Sequence, residues 1–230
     1  VASGAAVTVD SDNDLDIDSG GTITMTDATG GATGVLVEGG NTSSITVGGA
    51  INVTDSLEND DYEDTDEDGD MDGPFADGSD RYGVRVTGAE PLDGDVLVER
   101  TAAIRVEGNE SYGISVESDL DGDLTNLGAV SVLGNDTRAI SVTGDVSGDA
   151  VIAGTIGATG ENATGVAVEG DVGGALILHS NVTTTGYRYT TPPPAKPSEG
   201  TVDDEGLYLE DLDDADLLQT EHFCVRHTPN

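Results

Sequence analysis

Three sets of short apolar segments recur along this chain at one spacing of 26 residues. RAISVTG at Arg138 and TGVAVEG at Thr164 belong to the first set, and GDAVIA at Gly148 and GALILH at Gly174 belong to the second. Members of the third set share a closing glycine, at Gly108, Gly134, Gly160 and Gly186. A fixed period of this size is the signature of a repeat protein, in which each unit packs only against its neighbours.

The same patterns continue upstream and locate an insertion. TGVLVEG begins at Thr33 and GAINVTD at Gly49, while GTITMTD at Gly21 reads as the third element of a still earlier unit. The interval between the first-set segments at Thr33 and Tyr82 is 49 residues, which is one repeat and a surplus of 23. Because the surplus coincides with a strongly acidic stretch, we predict an insertion over residues 55–81.

Each repeat predicts three short strands. Apolar residues alternate with polar ones, as at Ile140 and Val142, and the segments between them are rich in Gly, Asn and Asp. A unit of this length cannot bury its apolar face alone, but it can do so by stacking on copies of itself. We therefore predict an all-β fold, a right-handed parallel β-helix of about six coils, with the hand taken from the crossover rule. A β-sandwich also has many short strands, but the constant spacing disfavours it.

The chain divides into three parts by composition. Residues 1–189 carry the repeats and the acidic insertion. Residues 190–200 contain four prolines, which cannot donate to a strand ladder and favour an extended linker. Residues 201–230 are predicted to be an acidic segment that caps the open end of the rod, or a disordered tail. The leucines of this part are Leu207, Leu209, Leu212, Leu217 and Leu218.

Charge excludes several classes of partner. The chain has 46 acidic and 8 basic residues, a formal net charge of -38. Nucleic acids and anionic membrane surfaces would be repelled, since affinity for both depends on Lys and Arg. We therefore expect no nucleic-acid partner. A single cysteine, Cys224, excludes an intramolecular disulfide framework.

The densest acidic stretch, DTDEDGDMDG, resembles a calcium-binding loop. Its alternating aspartates match the order of oxygen ligands in such a loop: Asp64, Asp66, Asp68, Asp70 and Asp72. Phe75 stands where a bidentate Glu is usual, although Asp77 or Asp80 could supply that carboxylate. Two interpretations are open: a calcium site formed by these five aspartates, or a solvated acidic loop with diffuse counterions.

Six N-x-[ST] sequences also have two interpretations. They are acceptor sequences for N-glycosylation, but Asn also suits tight turns because it tolerates left-handed backbone conformations. Asn109 and Asn135 each follow a closing glycine directly and lie one repeat apart. This position favours the interpretation as turn residues.

The sequence gives little support for catalysis. No G-x-S-x-G motif is present, and His179 has no neighbouring Ser or Cys motif to activate. A lyase acting on acidic polysaccharides would need basic residues beside its calcium. The available cluster is Arg81, Arg85, Arg100 and Arg105, which we expect to pair with neighbouring carboxylates. We predict that the chain is not an enzyme; a polysaccharide-active β-helix enzyme is the alternative.

Several segments together resemble one protein family. These are the GVxV and GD-apolar repeats, DGDMDGPF followed by RYGVRV, YRYTTPPPA at Tyr187 and DLDDADLLQ at Asp211. They look like the β-helical passenger region of Gram-negative autotransporter proteins, over roughly residues 1–219. Full-length members of that family carry a C-terminal outer-membrane barrel, for which this chain shows no counterpart.

The resemblance implies a cellular location and a role for the chain. It implies export through the outer membrane to the cell surface or medium, with no direct membrane insertion by this chain. It also implies a structural stalk or an adhesin-like module that binds a host-cell or matrix ligand or a surface glycan. A truncated fragment without independent function is a further alternative.

Overall fold

The computed structural model describes residues 4–26, 28, 30–55 and 76–186. Within these residues every paired strand is parallel and the strands form six stacked coils, which confirms the predicted parallel β-helix. The described part contains no helix that is long and apolar enough to cross a membrane.

Three six-stranded sheets form the walls of the solenoid, and each coil contributes one strand to each sheet. The first sheet consists of β1 (Ala5–Val9), β4 (Thr33–Glu38), β7 (Tyr82–Thr87), β11 (Tyr112–Val116), β15 (Arg138–Val142) and β18 (Thr164–Val168). The second consists of β2 (Leu15–Ile17), β5 (Ile45–Val47), β9 (Val96–Val98), β13 (Leu124–Asn126), β16 (Ala150–Ile152) and β19 (Leu176–Leu178). The third consists of β3 (Thr22–Met25), β6 (Ala50–Val53), β10 (Ala103–Glu107), β14 (Ala129–Leu133), β17 (Thr155–Thr159) and β20 (Asn181–Thr185). Two-residue strands β8 (Leu92–Asp93) and β12 (Leu120–Asp121) pair with each other at one corner.

The strand register places similar side chains on top of one another in successive coils. Val84 lies beside Ile114 of the next coil, and Ile114 lies beside Ile140 of the coil after that. All three are buried. Because successive residues of a strand point to opposite faces, each repeat sends its aliphatic side chains inward. The predicted alternation thus produces one continuous core along the rod.

Close packing explains the glycine at the second position of four of the six first-sheet strands. A Cβ on Gly113 would lie 2.3 Å from Val130 Cγ1 and 2.6 Å from the carbonyl oxygen of Ala139. Both distances are far below van der Waals contact, so a larger residue would force the wall outward. Val130 belongs to β14, so the first and third sheets pack against each other at this position.

Aspartates at the corners connect successive coils. The Asp145 amide donates to Asp119 Oδ1 at 2.9 Å, and the Asp171 amide donates to Asp145 Oδ1 at 2.8 Å. At another corner position the Asp149 amide donates to Asp123 Oδ1 at 2.7 Å. Many of the acidic residues therefore satisfy backbone donors that the turns would otherwise leave without a partner.

The two ends of the described rod differ. In the first coil Val9, Ile17 and Met25 are buried. In the last coil Leu176, Ile177 and Leu178 of β19 are 45 to 59% exposed, and Val182 of β20 is 40% exposed. The end formed by β19 and β20 is therefore an apolar surface that no described residue covers.

Candidate binding surface

The predicted calcium ligands lie outside the described residues. Asp64, Asp66, Asp68, Asp70 and Asp72 all fall between positions 56 and 75. Within the residues that are described, no group of three or more His, Cys, Asp or Glu side chains could hold a metal ion. The calcium interpretation therefore remains a prediction.

The two ends of the acidic insertion meet on the solenoid wall. The Asp77 amide donates to Asp55 Oδ2 at 2.7 Å. Arg81, which is 2% exposed, places Nη1 3.1 Å from the same carboxylate. Its guanidinium also donates to the carbonyl oxygens of Ala28, Asp77 and Glu107. A buried arginine thus joins both ends of the insertion to two neighbouring strand ends.

The expected pairing of arginines with carboxylates is found for three of the four. Besides Arg81, Arg85 binds both carboxylate oxygens of Glu117 at 2.8 Å, and Arg105 pairs with Glu107. Arg100 is in no ion pair with any residue of the described ranges. The charge of the Arg100 guanidinium is therefore not neutralised by an ion pair with a described carboxylate.

One corner carries a column of residues with left-handed backbone. Among the described residues four that are not glycine have φ between 48° and 58°: Asp80, Glu110, Asp136 and Asn162. Asn109 and Asn135 precede two of them, and their side chains accept amide protons from the next coil at 2.8 and 3.1 Å. The turn interpretation of Asn109 and Asn135 expected the left-handed conformation at the asparagines themselves. The left-handed conformation is instead at the residue after each asparagine, Glu110 and Asp136. The asparagine side chains join successive coils.

Aromatic rings stack beside this corner on the outer face of the first sheet. The Tyr82 and Tyr112 rings are 5.1 Å apart and nearly parallel, at 9°. The Arg85 guanidinium lies 4.2 Å from the Tyr82 ring centroid and covers that ring. The outer side of Tyr112 faces the next coil, where Arg138 is its strand partner.

Burial and neighbouring charges shift the pKa values of three of these groups, Glu117, Arg85 and Tyr82. Burial acts to raise the pKa of Glu117, but hydrogen bonds from Arg85, Thr87 and Ser115 and the charge of Arg85 outweigh it, so the pKa is lowered. Burial acts to lower the pKa of Arg85, but the hydrogen bond and charge of Glu117 raise it overall. Burial also raises the pKa of Tyr82. At neutral pH the Arg85–Glu117 pair is therefore fully ionised and Tyr82 is neutral.

An open groove of about 700 Å³ runs along this corner parallel to the solenoid axis. It crosses four successive coils, so it spans about 14 Å at the normal spacing of strands. Arg138 stands in it and is held 2.8 Å from Glu169. The residues that line it are Asp80, Glu110, Tyr112, Asp136, Arg138, Asn162 and Thr164.

A second groove, of about 390 Å³, contains His179. Arg100 and Ser180 also line it. The Ser180 hydroxyl donates to the carbonyl oxygen of Ile152 at 2.7 Å, so this hydroxyl is already engaged with the backbone. Within the described residues His179 therefore has no activated nucleophile beside it.

Comparison with known proteins gives no family or relative. No family profile, curated protein or solved structure matches this chain. The function must therefore be argued from the surface just described.

Proposed function

We propose that this chain is a binding module of an exported surface protein and that it binds a glycan chain in the axial groove. The observation that carries the proposal is the continuity of that groove across four coils, from Asp80 to Thr164. A groove of this shape suits a linear polymer better than a compact small molecule. The proposal includes the stalk role, which the continuous core along the solenoid supports.

The groove offers the chemistry that sugars require. The groove is lined by three carboxylates and an amide, at Asp80, Glu110, Asp136 and Asn162, which can bond to hydroxyl groups. Tyr112 adds an aromatic ring to the same lining. Tyr82 and Arg85 fix that ring from behind by stacking, so it is ordered before a ligand arrives.

The charge of the groove and of the whole chain limits the class of glycan that the groove can bind. Three carboxylates and one arginine line the groove, and the chain carries a formal net charge of -38. Sulfated or uronic-acid polymers would be repelled along the whole rod. The groove therefore favours neutral glycans or glycans that bear amino groups.

The proposal includes export and calcium binding. The passenger-like repeats and the order of the flanking motifs support the cell surface as the site of action. Calcium at Asp64, Asp66, Asp68, Asp70 and Asp72 is supported by their alternation. Asp55 and Asp77, on either side of this stretch, are in contact, because the Asp77 amide donates to Asp55 Oδ2.

Isothermal titration with defined oligosaccharides tests the glycan proposal. The probes are a neutral glucan hexasaccharide, a glucosamine hexasaccharide and a sulfated hexasaccharide. We expect saturable binding of at least one of the first two and none of the third. Tyr112→Ala should weaken binding by about 10-fold or more, the effect of losing one buried aromatic contact.

Arg105→Ala is the matched control for Arg138→Ala. Arg105 lies in β10, outside the groove, and like Arg138 it pairs with a glutamate. Loss of binding in the Arg138 variant alone supports the groove. Equal loss in both variants, or tight binding of the sulfated probe, contradicts the proposal.

A further inference from the structure

The groove that contains His179 differs from two other grooves of the described chain in the charge of its lining. Its ten described lining residues include Arg100 and His179 but no carboxylate. The axial groove is lined by three carboxylates. A further groove of about 440 Å³ is lined by four, at Asp119, Asp121, Asp145 and Asp171. On a chain with 46 acidic residues, a groove whose described lining is cationic is an exception that suits a different class of ligand.

This groove, named the Arg100 groove from here on, lies at the corner between the second and third sheets. Arg100 follows β9 in the third coil, and the glycine turns at Gly128 and Gly154 belong to the fourth and fifth coils. A Cβ on Gly128 would lie 2.6 Å from the carbonyl oxygen of Glu99, and a Cβ on Gly154 would lie 1.7 Å from that of Gly128. The stacking of the coils therefore excludes side chains at these two turns and leaves only backbone there.

Several hydrogen-bond donors of the Arg100 groove have no acceptor among the described residues. The backbone amides of Gly128 and Gly154 donate to no described residue, although Gly128 is buried. Buried backbone amides normally have a hydrogen-bond partner. Arg100 likewise is in no ion pair with a described carboxylate. The groove thus combines a guanidinium and backbone amides that lack acceptors, and a bound ligand would supply them.

The wall on both sides of the Arg100 groove is uncharged in the last three coils. The outward positions of the flanking strands are Thr125, Val151 and Ile177 in the second sheet and Ser131, Gly157 and Thr183 in the third. Glu99 is adjacent to Arg100 in sequence, but a Cβ on Gly48 of the second coil would lie 2.6 Å from Glu99 Oε2. The Glu99 carboxylate therefore lies against the preceding coil, on the side of its strand away from the groove.

We propose that the Arg100 groove binds a compact oxyanion, the carboxylate or phosphate group of a small ligand, between Arg100 and the amides of Gly128 and Gly154. A guanidinium presents its donors in a planar fork that suits two oxygens of one anion. His179 adds a ring N–H in either protonation state. The proposal is independent of the glycan site, because the axial groove lies at the corner between the third and first sheets.

The charge of the whole chain restricts the ligand to a compact anion. At physiological ionic strength the Debye length is about 8 Å, so the exposed carboxylates of the other walls are largely screened at the groove. A polymer with many sulfate groups extends past the groove and meets the aspartates that precede the second-sheet strands, such as Asp123 and Asp149. Binding of a small oxyanion is therefore compatible with the repulsion of sulfated glycans.

Amide-proton NMR of the full chain tests the proposal. The probes are inorganic phosphate and acetate, each titrated against chloride at constant ionic strength. We expect saturable downfield shifts of the Gly128 and Gly154 amide protons with at least one probe, and the probe that binds more tightly identifies the anionic group. The control amides are those of Gly148 and Gly174, which already donate to the carbonyl oxygens of Gly122 and Gly148 and should not shift.

Two pairs of variants locate the site. Arg100→Ala should weaken binding about 10-fold or more, the usual effect of losing a hydrogen bond to a charged group. Arg105→Ala is its matched control, because Arg105 lies outside the groove and pairs with Glu107. Ala153→Asp places a carboxylate in the groove and should abolish binding, whereas Ala153→Asn, of the same shape without the charge, should retain it.

Equal shifts of all four glycine amides, or shifts that stay linear in probe concentration, overturn the proposal because they show a general effect of the salt. Saturable binding that is unchanged in Arg100→Ala also overturns it. Arg100 is exposed and Ala153 is partly exposed, so these substitutions leave the core intact. Circular dichroism establishes that each variant keeps the strand-rich spectrum.

Discussion

Arg81→Met should destabilise the solenoid more than any other arginine substitution in the described chain. The Arg81 side chain is 2% exposed, and its guanidinium reaches Asp55 Oδ2 at 3.1 Å. It also donates to three backbone carbonyl oxygens, those of Ala28, Asp77 and Glu107. Methionine has similar length but no donor, so three carbonyl acceptors, two of them buried, lose a partner and a buried carboxylate loses its cation.

The expected loss follows from these contacts. Removing one partner of a buried, hydrogen-bonded ion pair typically costs about 3 to 5 kcal/mol. Arg81 Nε is itself buried with no hydrogen-bond partner among the described residues, and its removal relieves part of that cost. We therefore expect a loss near the lower value, about 3 kcal/mol. For a chain of this size that corresponds to a fall in melting temperature of about 6 to 12 °C.

Arg138→Met is the matched control. Arg138 and Glu169 form an ion pair whose side chains are 35% and 55% exposed. Exposed pairs contribute about 0 to 1 kcal/mol, so this variant should melt close to the wild type. Urea denaturation followed by circular dichroism measures both losses. If Arg81→Met costs less than about 1 kcal/mol, the view that this arginine secures the insertion is refuted.

Three further substitutions test the core, the wall and the charged face. Asn126→Leu should raise the free energy of unfolding by about 1 kcal/mol or more, because Asn126 Oδ1 is buried with no hydrogen-bond partner in the described part of the chain; urea denaturation measures it. Gly113→Val should cost about 1 to 3 kcal/mol through overpacking, whereas Gly157→Ala, where a Cβ would have no neighbour within 4 Å, should be nearly neutral. Glu117→Gln tests a pH dependence. Because the folded pKa of Glu117 is lowered, its stabilisation is present above the ordinary carboxyl pKa of about 4.3 and is lost as pH falls through the folded value. The melting temperature of the wild type should therefore fall more between pH 7 and pH 3 than that of the variant, and equal falls would contradict the pKa shift.

The coil architecture could be predicted from the sequence because every unit repeats one local pattern. The alternation at Ile140 and Val142 fixes which side chains point inward, and the 26-residue spacing fixes what they stack on. Neither inference needs knowledge of distant contacts. The segments found at Gly21, Gly49 and Thr33 correspond to β3, β6 and β4, so even the irregular early coils kept enough of the pattern.

The candidate surface was less predictable, since it depends on corners rather than strands. Which turn residue takes the left-handed conformation is decided by how successive coils stack, and Asn109 is instead used to accept the Asn135 amide. The sequence does contain one signal of this corner. The tripeptides GNE, GND and GEN recur at 26-residue spacing, starting at Gly108, Gly134 and Gly160. The burial of Arg81 had no such signal, because it depends on Asp55 and Asp77 meeting across an insertion.

Stacking also explains how so acidic a chain can fold. A carboxylate repeated at one position of every coil recurs about every 4.8 Å, a spacing at which like charges repel strongly unless they have donors. The corner aspartates have donors: Asp119, Asp145 and Asp123 each accept an amide proton from the following coil. Charge-assisted bonds of this kind hold neighbouring coils in register while the carboxylates stay in water. The same repetition brings Asp80, Glu110 and Asp136 into one groove, where their carboxylates form a row of hydrogen-bond acceptors.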